Sequence, residues 1–281
     1  HHAGRRMIDS HQHFWQLGRG DYAWPNPSVA PINRDFAPDD LRGLLKRHGI
    51  AQTLLVQATD SVAETEFLLH IAATEAFVAG VVGWVDLSAP DAIATIDRLR
   101  ADRWLKGLRP MLQGIEDTDW ILRPSVAPAL AHMAQVGLRF DALIQPRHLR
   151  ATEILALRHP SLPIVVDHVA KPRMGQRQAP DPDWISGMQR LSALPNVWCK
   201  LSGMITEIGP DWHIDDLRPF AKAVIDAFGP DRLMWGSDWP VVNLAGDYDA
   251  WVTASRELLA HLPAPAQDRI FSGAARAFYA L

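Results

Sequence analysis

The sequence predicts an α/β fold and, within that class, a (β/α)8 TIM barrel. Three observations carry the prediction. Eight short apolar segments alternate with helical ones along 281 residues, as a closed parallel barrel requires. The sixth segment, Pro163-Ile164-Val165-Val166, is apolar throughout, as a strand buried on both faces should be. Neither GxGxxG nor a Walker-type glycine loop occurs, which weighs against an open doubly wound sheet and against nucleotide or dinucleotide binding.

In chain order, the first strand is expected at 7–12, where Met7-Ile8 runs into a polar stretch. Residues 16–36 carry Gly18, Gly20, Pro25, Pro27 and Pro31 with no sustained periodicity and read as an inserted loop, more in keeping with an active-site loop than a surface flap. A helix over 37–48 closes at Gly49. The second strand, 53–57, precedes a helix over 61–76 with Ser61 as N-cap and Glu64 as its capping-box partner. Strand three spans 78–85, followed by a helix over 90–103; strand four is 105–108, and Pro110 marks its turn. A loop over 111–123 leads to a helix over 124–136 that Gly137 ends, then strand five at 138–144 and a helix over 147–158. Strand six is followed by a Pro/Gly-rich loop over 171–182, a helix over 183–194 and strand seven at 197–201. A loop over 204–213, a helix over 215–228 and strand eight at 232–236 follow, and helices over 248–261 and 267–279 finish the chain. One barrel domain over 7–281 with a C-terminal helix is therefore expected.

Composition narrows the function classes. A formal net charge of -4 with scattered Lys and Arg shows no nucleic-acid footprint. The single cysteine, Cys199, excludes an intrachain disulfide framework and a Cys-rich zinc site, and its apolar neighbours predict a buried, inert thiol. No apolar run reaches membrane-spanning length and no signal-peptide stretch is seen, so the expectation is a cytoplasmic protein without a membrane partner. His1 and His2 have the look of a tag remnant as much as of native residues and are set aside.

In such a barrel chemistry sits at the C-terminal strand ends, and there the chain is crowded with polar groups. His11 and His13, two apart, face one side of a strand and can grip one ion or flank one substrate. Asp238, in Gly-Ser-Asp-Trp-Pro, is either an Asx-turn cap or a carboxylate that binds a metal or takes a proton from water. His168 either bonds a backbone carbonyl or serves as ligand or electrophile, and Asp167, its neighbour, is expected to point the other way. Arg109 at the mouth suits a substrate carboxylate or polyol. Lys106, before Gly107, suits a supporting ion pair better than catalysis, while Gln57, Asp86 and Gln145 suit hydroxyl binding. Trp24 and Trp239, beside strand ends or in Pro-rich loops, offer flat walls for a ligand.

Six segments then carry a resemblance: 8–15 (IDSHQHFW), 83–86 (GWVD), 106–109 (KGLR), 167–172 (DHVAKP), 200–203 (KLSG) and 235–240 (WGSDWP). In this order the set resembles the amidohydrolase superfamily, in its branch of lactonases that act on sugar acids and on 2-pyrone-4,6-dicarboxylate. The resemblance implies an amidohydrolase-like barrel that hydrolyses a sugar-acid lactone, an aldono- or aldarolactone such as L-fucono- or L-rhamnonolactone, as its small-molecule partner. It implies that Asp238 activates water as general base. His11, His13 and His168 would, with Asp238, hold one divalent metal, zinc or manganese, or act without metal as hydrogen-bond donors. Gln145, where two-metal relatives place a histidine, argues against a binuclear centre. The alternatives are a metal-dependent decarboxylase of the same superfamily, a dicarboxylate lactone hydrolase, and a non-catalytic sugar-acid binding protein.

Overall fold

In the computed structural model residues 6–281 are described, and His1 and His2 lie outside them. Eight strands among those residues form one parallel sheet in sequential order: β1 Met7–Gln12, β2 Ile50–Val56, β3 Val78–Gly83, β4 Leu105–Leu108, β5 Arg139–Ala142, β6 Ile164–Val166, β7 Val197–Leu201 and β8 Leu233–Trp235. The sheet is closed beyond the last strand, where Asp238 N donates to His11 O (2.8 Å) and His13 N to Trp239 O (2.8 Å). No helix among the described residues is long and apolar enough to cross a membrane.

Local chemistry sets the elements. Ser61 accepts from Glu64 N (3.0 Å) and caps the helix Val62–Thr74 as expected. Glu64 does not complete a capping box. Its carboxylate accepts instead from Ala58 N (2.8 Å) and Thr59 N (3.0 Å), two amides left unpaired where β2 stops. The inserted segment holds two short 3-10 turns, Leu17–Arg19 and Pro27–Ile32, and is tied down where Thr59 Oγ1 donates to Asp21 O (2.9 Å). The loop expected over 204–213 contains a short helix, Met204–Ile208, entered through Gly203 in the left-handed region. The chain's last helical stretch is broken into Ala264–Asp268, a π turn over Arg269–Gly273, and Ala274–Tyr279.

Two apolar regions result. The larger joins the outer face of the sheet to the surrounding helices. The smaller fills the barrel interior with Ile8, Leu54, Val56, Val82, Val165 and Met234, and the C-terminal helix covers it with Ala274, Ala275, Phe278 and Tyr279. Cys199 is fully buried, and burial pushes its thiol well above the ordinary range, so it is inert as anticipated.

At the seam, Asp9 is buried and accepts from His11 N (3.1 Å), Ser237 N (2.8 Å) and Tyr248 Oη (2.9 Å), so one carboxylate joins β1, the segment after β8 and an outer helix. Replacing Asp9 with Ala strands three buried donors. We expect Asp9→Ala to lower the unfolding free energy by about 2–3 kcal/mol in a urea titration followed by far-UV circular dichroism; an unchanged midpoint would show that the seam closes without this carboxylate.

Candidate active site

A cavity of about 410 Å³ opens at the C-terminal strand ends, and His13, Arg109, His168, Asp238 and Trp24 line it together with Lys171. Asp238 Oδ1 is the common focus. It lies 3.2 Å from His13 Nε2, 3.7 Å from His11 Nε2 and 3.8 Å from His168 Nε2. The ring of His11 stands edge-on to both other imidazoles, with centroids 4.9 Å from His13 and 4.6 Å from His168. All four residues are at least nine-tenths buried.

Backbone geometry explains how these side chains meet. Asp238 has φ 57°, a left-handed conformation that Asp tolerates better than most residues. After β6 the chain enters an unusual run in which His168, Val169, Ala170 and Lys171 all have φ between 48° and 66°. For β-branched Val169 such a conformation costs energy that the surroundings must repay. Two bonds help hold it: Trp184 Nε1 donates to Val169 O (2.9 Å) and Lys171 N to His168 O (2.8 Å). This turn corrects the expectation for Asp167. Strand alternation ends at Val166, so Asp167 and His168 both serve the same end of the barrel, and Asp167 accepts from Arg109 Nη1 at 3.0 Å. Gly203 makes room, since a Cβ there would lie 2.6 Å from the His168 ring.

Each histidine is oriented from behind. His13 Nδ1 donates to Val56 O (2.8 Å), which turns Nε2 toward Asp238. His168 Nδ1 is paired with Ser202 Oγ (2.8 Å). His11 Nδ1 faces Lys200 Nζ (3.1 Å). Burial holds His11 well below the ordinary imidazole range, with Lys200 adding to the effect, and pushes His168 down to about 4. Burial alone would raise the Asp238 carboxyl, but His168, the His13 hydrogen bond and the Lys171 charge reverse the sign and keep it below its ordinary value. The pocket thus favours the ionised form of Asp238 and the uncharged form of His11.

His11, His168 and Asp238 present donor atoms that all lie within 4.8 Å of one another, and His11 Nε2 is buried with no hydrogen-bond partner among the described residues. By ligand type and spacing that donor set fits one divalent cation, provided that His11 Nε2 offers its lone pair. His13 is outside this group of three and touches it through Asp238. A second cluster, His11, Asp141 and Asp167, has similar spacing, but the Lys200 ammonium sits among its atoms, 2.9 Å from Asp141 Oδ2 and 3.9 Å from Asp167 Oδ1.

The other expected residues divide. Arg109 is buried, and its guanidinium is held by Gln57 Oε1 (2.6 Å), Gln57 O (2.6 Å) and Asp167, so Gln57 braces Arg109 and does not line the cavity. Asp86 is exposed and caps a turn at Ser88, and Gln145 lies in a neighbouring groove near Arg147. Lys106 sits early in β4 against Gly80, with Arg139 as its charged neighbour, away from the cavity. Trp239 packs between Phe14 and Phe36 with ring centroids at 6.0 and 5.3 Å, inside the core. Sequence reasoning missed Lys171, on the cavity wall, and Asp141, and it placed Lys200 beside the end of strand seven without its buried partner. The available signal was charge inside short strands, Asp141 in β5 and Lys200 in β7, where burial on both faces leaves no solvent for an unpaired ion.

Comparison with known proteins agrees with this geometry. Residues 8–281 match the family model described as amidohydrolase. L-fucono-1,5-lactonase from Burkholderia ambifaria is 46% identical over 278 residues, 97% of this chain and 94% of that protein. L-fucono-1,5-lactonase from Burkholderia multivorans is 36% identical over 290 residues, 99% and 97% of the two chains. A crystal structure of an amidohydrolase from Burkholderia multivorans with bound zinc superposes with a TM-score of 0.90 at 35% identity, covering 98% of this chain and 99% of that one.

The close approach at Gly203 makes a test of the site's geometry. With φ 66° and the His168 ring 2.6 Å from a built Cβ, Gly203→Ala is expected to cost about 1–3 kcal/mol of stability and to shift the His168 ring resonances in nuclear magnetic resonance (NMR) spectra. Unmoved resonances would mean that the histidine is not packed against this glycine.

Proposed function

The chain belongs to the amidohydrolase family, and from there we propose that it hydrolyses the lactone ring of a sugar acid, an aldonolactone such as L-fucono-1,5-lactone, to the open acid. The observation that carries the proposal is Asp238 Oδ1, an ionised oxygen at the focus of His11, His13 and His168 on the wall of a cavity large enough for one sugar ring. In this proposal residues 7–281 work as one barrel domain, with the 16–36 segment supplying Trp24 to the cavity wall. We place the activity in the cytoplasm, in keeping with a chain that uses one buried cysteine and no disulfide framework.

Lactone opening requires a nucleophilic water, stabilisation of the oxygen that gains charge as the carbonyl becomes tetrahedral, and a proton for the departing ring oxygen. Asp238 takes the proton of the attacking water. His13 Nε2, 3.2 Å from that oxygen and aimed at it by the Nδ1 bond to Val56 O, orients the carboxylate. Asp238 then returns that proton to the ring oxygen as the C–O bond breaks, leaving a hydroxyl and a carboxylic acid, which ionises by losing the second water-derived proton to solvent. Lys171 and Arg109 place positive charge on the cavity wall where the developing anion and the product carboxylate are accommodated. Trp24 offers the apolar face against which a sugar ring lies.

Where a divalent ion such as zinc is bound, His11, His168 and Asp238 are the residues that hold it, and it would polarise the lactone carbonyl as a Lewis acid. The dicarboxylate-lactone and decarboxylase alternatives share the fold, and products separate them.

The decisive assay is a panel of aldonolactones and dicarboxylate lactones followed by proton release, with chelator-treated and zinc- or manganese-supplemented protein in parallel. We expect turnover of an aldonolactone set of one stereochemistry; bicarbonate release from an aromatic acid, with no lactone turned over, would replace the proposal with decarboxylation. Asp238→Asn, nearly isosteric, is expected to lower kcat by about a hundredfold to ten-thousandfold while the circular dichroism spectrum stays native. Full turnover by that variant would remove Asp238 from the role of base.

A further inference from the structure

Beneath the cavity lies a second, drier polar layer that the proposed reaction does not use. Lys200 is fully buried, and its Nζ has three neighbours at hydrogen-bonding distance: Ser10 O at 2.8 Å, Asp141 Oδ2 at 2.9 Å and His11 Nδ1 at 3.1 Å. Asp141 is itself fully buried and also accepts from Tyr279 Oη at 2.9 Å, so both of its neighbours are donors, as a carboxylate requires. An ammonium has three protons and no acceptor site. A backbone carbonyl, a carboxylate and a ring nitrogen therefore satisfy it completely, provided that His11 Nδ1 offers its lone pair. The other neutral tautomer would press an Nδ1–H against an N–H of the ammonium, and among the described residues no alternative acceptor is near: the carboxylate oxygen Asp167 Oδ1 is 3.8 Å from Nδ1.

The proton of neutral His11 must then sit on Nε2. That atom is buried, unpartnered, and aimed between His168 and Asp238, with Asp238 Oδ1 at 3.7 Å. We propose that the Lys200 ammonium fills the inner His11–Asp141–Asp167 cluster in place of a second cation and fixes His11 as the Nε2–H tautomer, so that His11 directs a hydrogen-bond donor into the site. Lys200 is a positioning residue, acting on the reaction only through His11. The same arrangement sets it against metal at the outer group: a divalent ion held by His11 Nε2 needs the lone pair that this tautomer has given to Nδ1, and it would approach a cation lodged on the far side of the same ring. The catalytic consequence rests on the lactonase proposal above, whereas the tautomer and the metal affinity do not.

The test begins with the unmodified protein. Long-range proton–nitrogen NMR on 15N-histidine-labelled enzyme, with His11 assigned by comparison with a His11→Gln sample, should show a protonated Nε2 and a bare Nδ1. The opposite pattern overturns the proposal whether or not any variant folds. In Lys200→Met, the His11 signals should lose that pattern, and zinc affinity, measured by competition with a chromophoric chelator, should rise about tenfold or more. On the lactone the enzyme turns over, kcat should fall about tenfold to a hundredfold with KM little changed. Tyr279→Phe keeps Lys200 and removes only the Tyr279 hydroxyl, so it should lower the melting temperature without moving the His11 tautomer or the zinc affinity. If the folded Lys200→Met protein keeps the wild-type tautomer and zinc affinity, or if Tyr279→Phe shifts them equally, Lys200 is structural filling and the proposal fails. Failure of every lactone in the panel, with the tautomer and zinc results as expected, would instead overturn the lactonase proposal and leave the role of Lys200 standing.

Discussion

The interaction on which the rest of the molecule depends is the closure of the barrel between its first and last strands. A parallel sheet of eight strands in sequential order leaves β1 and β8 as edges unless they pair with each other, and here they pair at the chemical centre: Asp238 N bonds to His11 O and His13 N to Trp239 O. Backbone atoms of three residues at the focus of the cavity thus also make the seam. The arrangement brings residues about 225 positions apart to 3.2 Å with little freedom left in either strand, as a fixed side-chain pair requires. Asp9, one turn of the pleat below, clamps the same seam through three donors.

Above and below that seam the barrel solves two different electrostatic problems. The upper layer keeps polar groups incompletely paired, with His11 Nε2 unpartnered and Asp238 ringed by imidazoles, because unpaired groups facing a cavity are what a ligand can engage. The lower layer does the reverse. Lys200, Asp141 and Tyr279 are buried where water cannot reach, and each satisfies the others, since an unpaired ion there would cost several kcal/mol. The C-terminal helix belongs to both stories. It seals the apolar end of the barrel and sends Tyr279 upward to the carboxylate that holds the lysine, so the last turn of the chain is in hydrogen-bonded sequence with His11.

The left-handed run from His168 to Lys171 shows how much backbone cost the site carries. Four successive non-glycine residues at positive φ put Asp167 onto Arg109, His168 onto Asp238 and Lys171 onto the cavity wall, three charges or dipoles from one turn. No regular strand end achieves this, because alternation sends neighbours to opposite faces. The energy is recovered from neighbouring elements, through the Trp184 bond to Val169 and the space left by Gly203.

The fold and the four residues at the focus of the cavity were legible because periodicity and strand-end position are local properties. Alternating apolar segments give strands and helices, eight of them give a barrel, and a barrel gathers its strand ends, so His11, His13, His168 and Asp238 stood among the polar residues expected at one end, and the resemblance to amidohydrolases singled out those four. What stays local in the sequence cannot say which way a side chain turns once the regular backbone ends or what it finds there. Only the tertiary structure decided that Asp167 turns inward, that Gln57 braces Arg109, that Trp239 belongs to the core while Trp24 faces the cavity, and that Lys106 lies away from it. It also decided the partners of Lys200, because that buried charge is satisfied by atoms of two other strands, β1 and β5, and the β5 carboxylate is held in turn from the C-terminal helix, at distances that closure of the barrel sets and no pattern along the chain records.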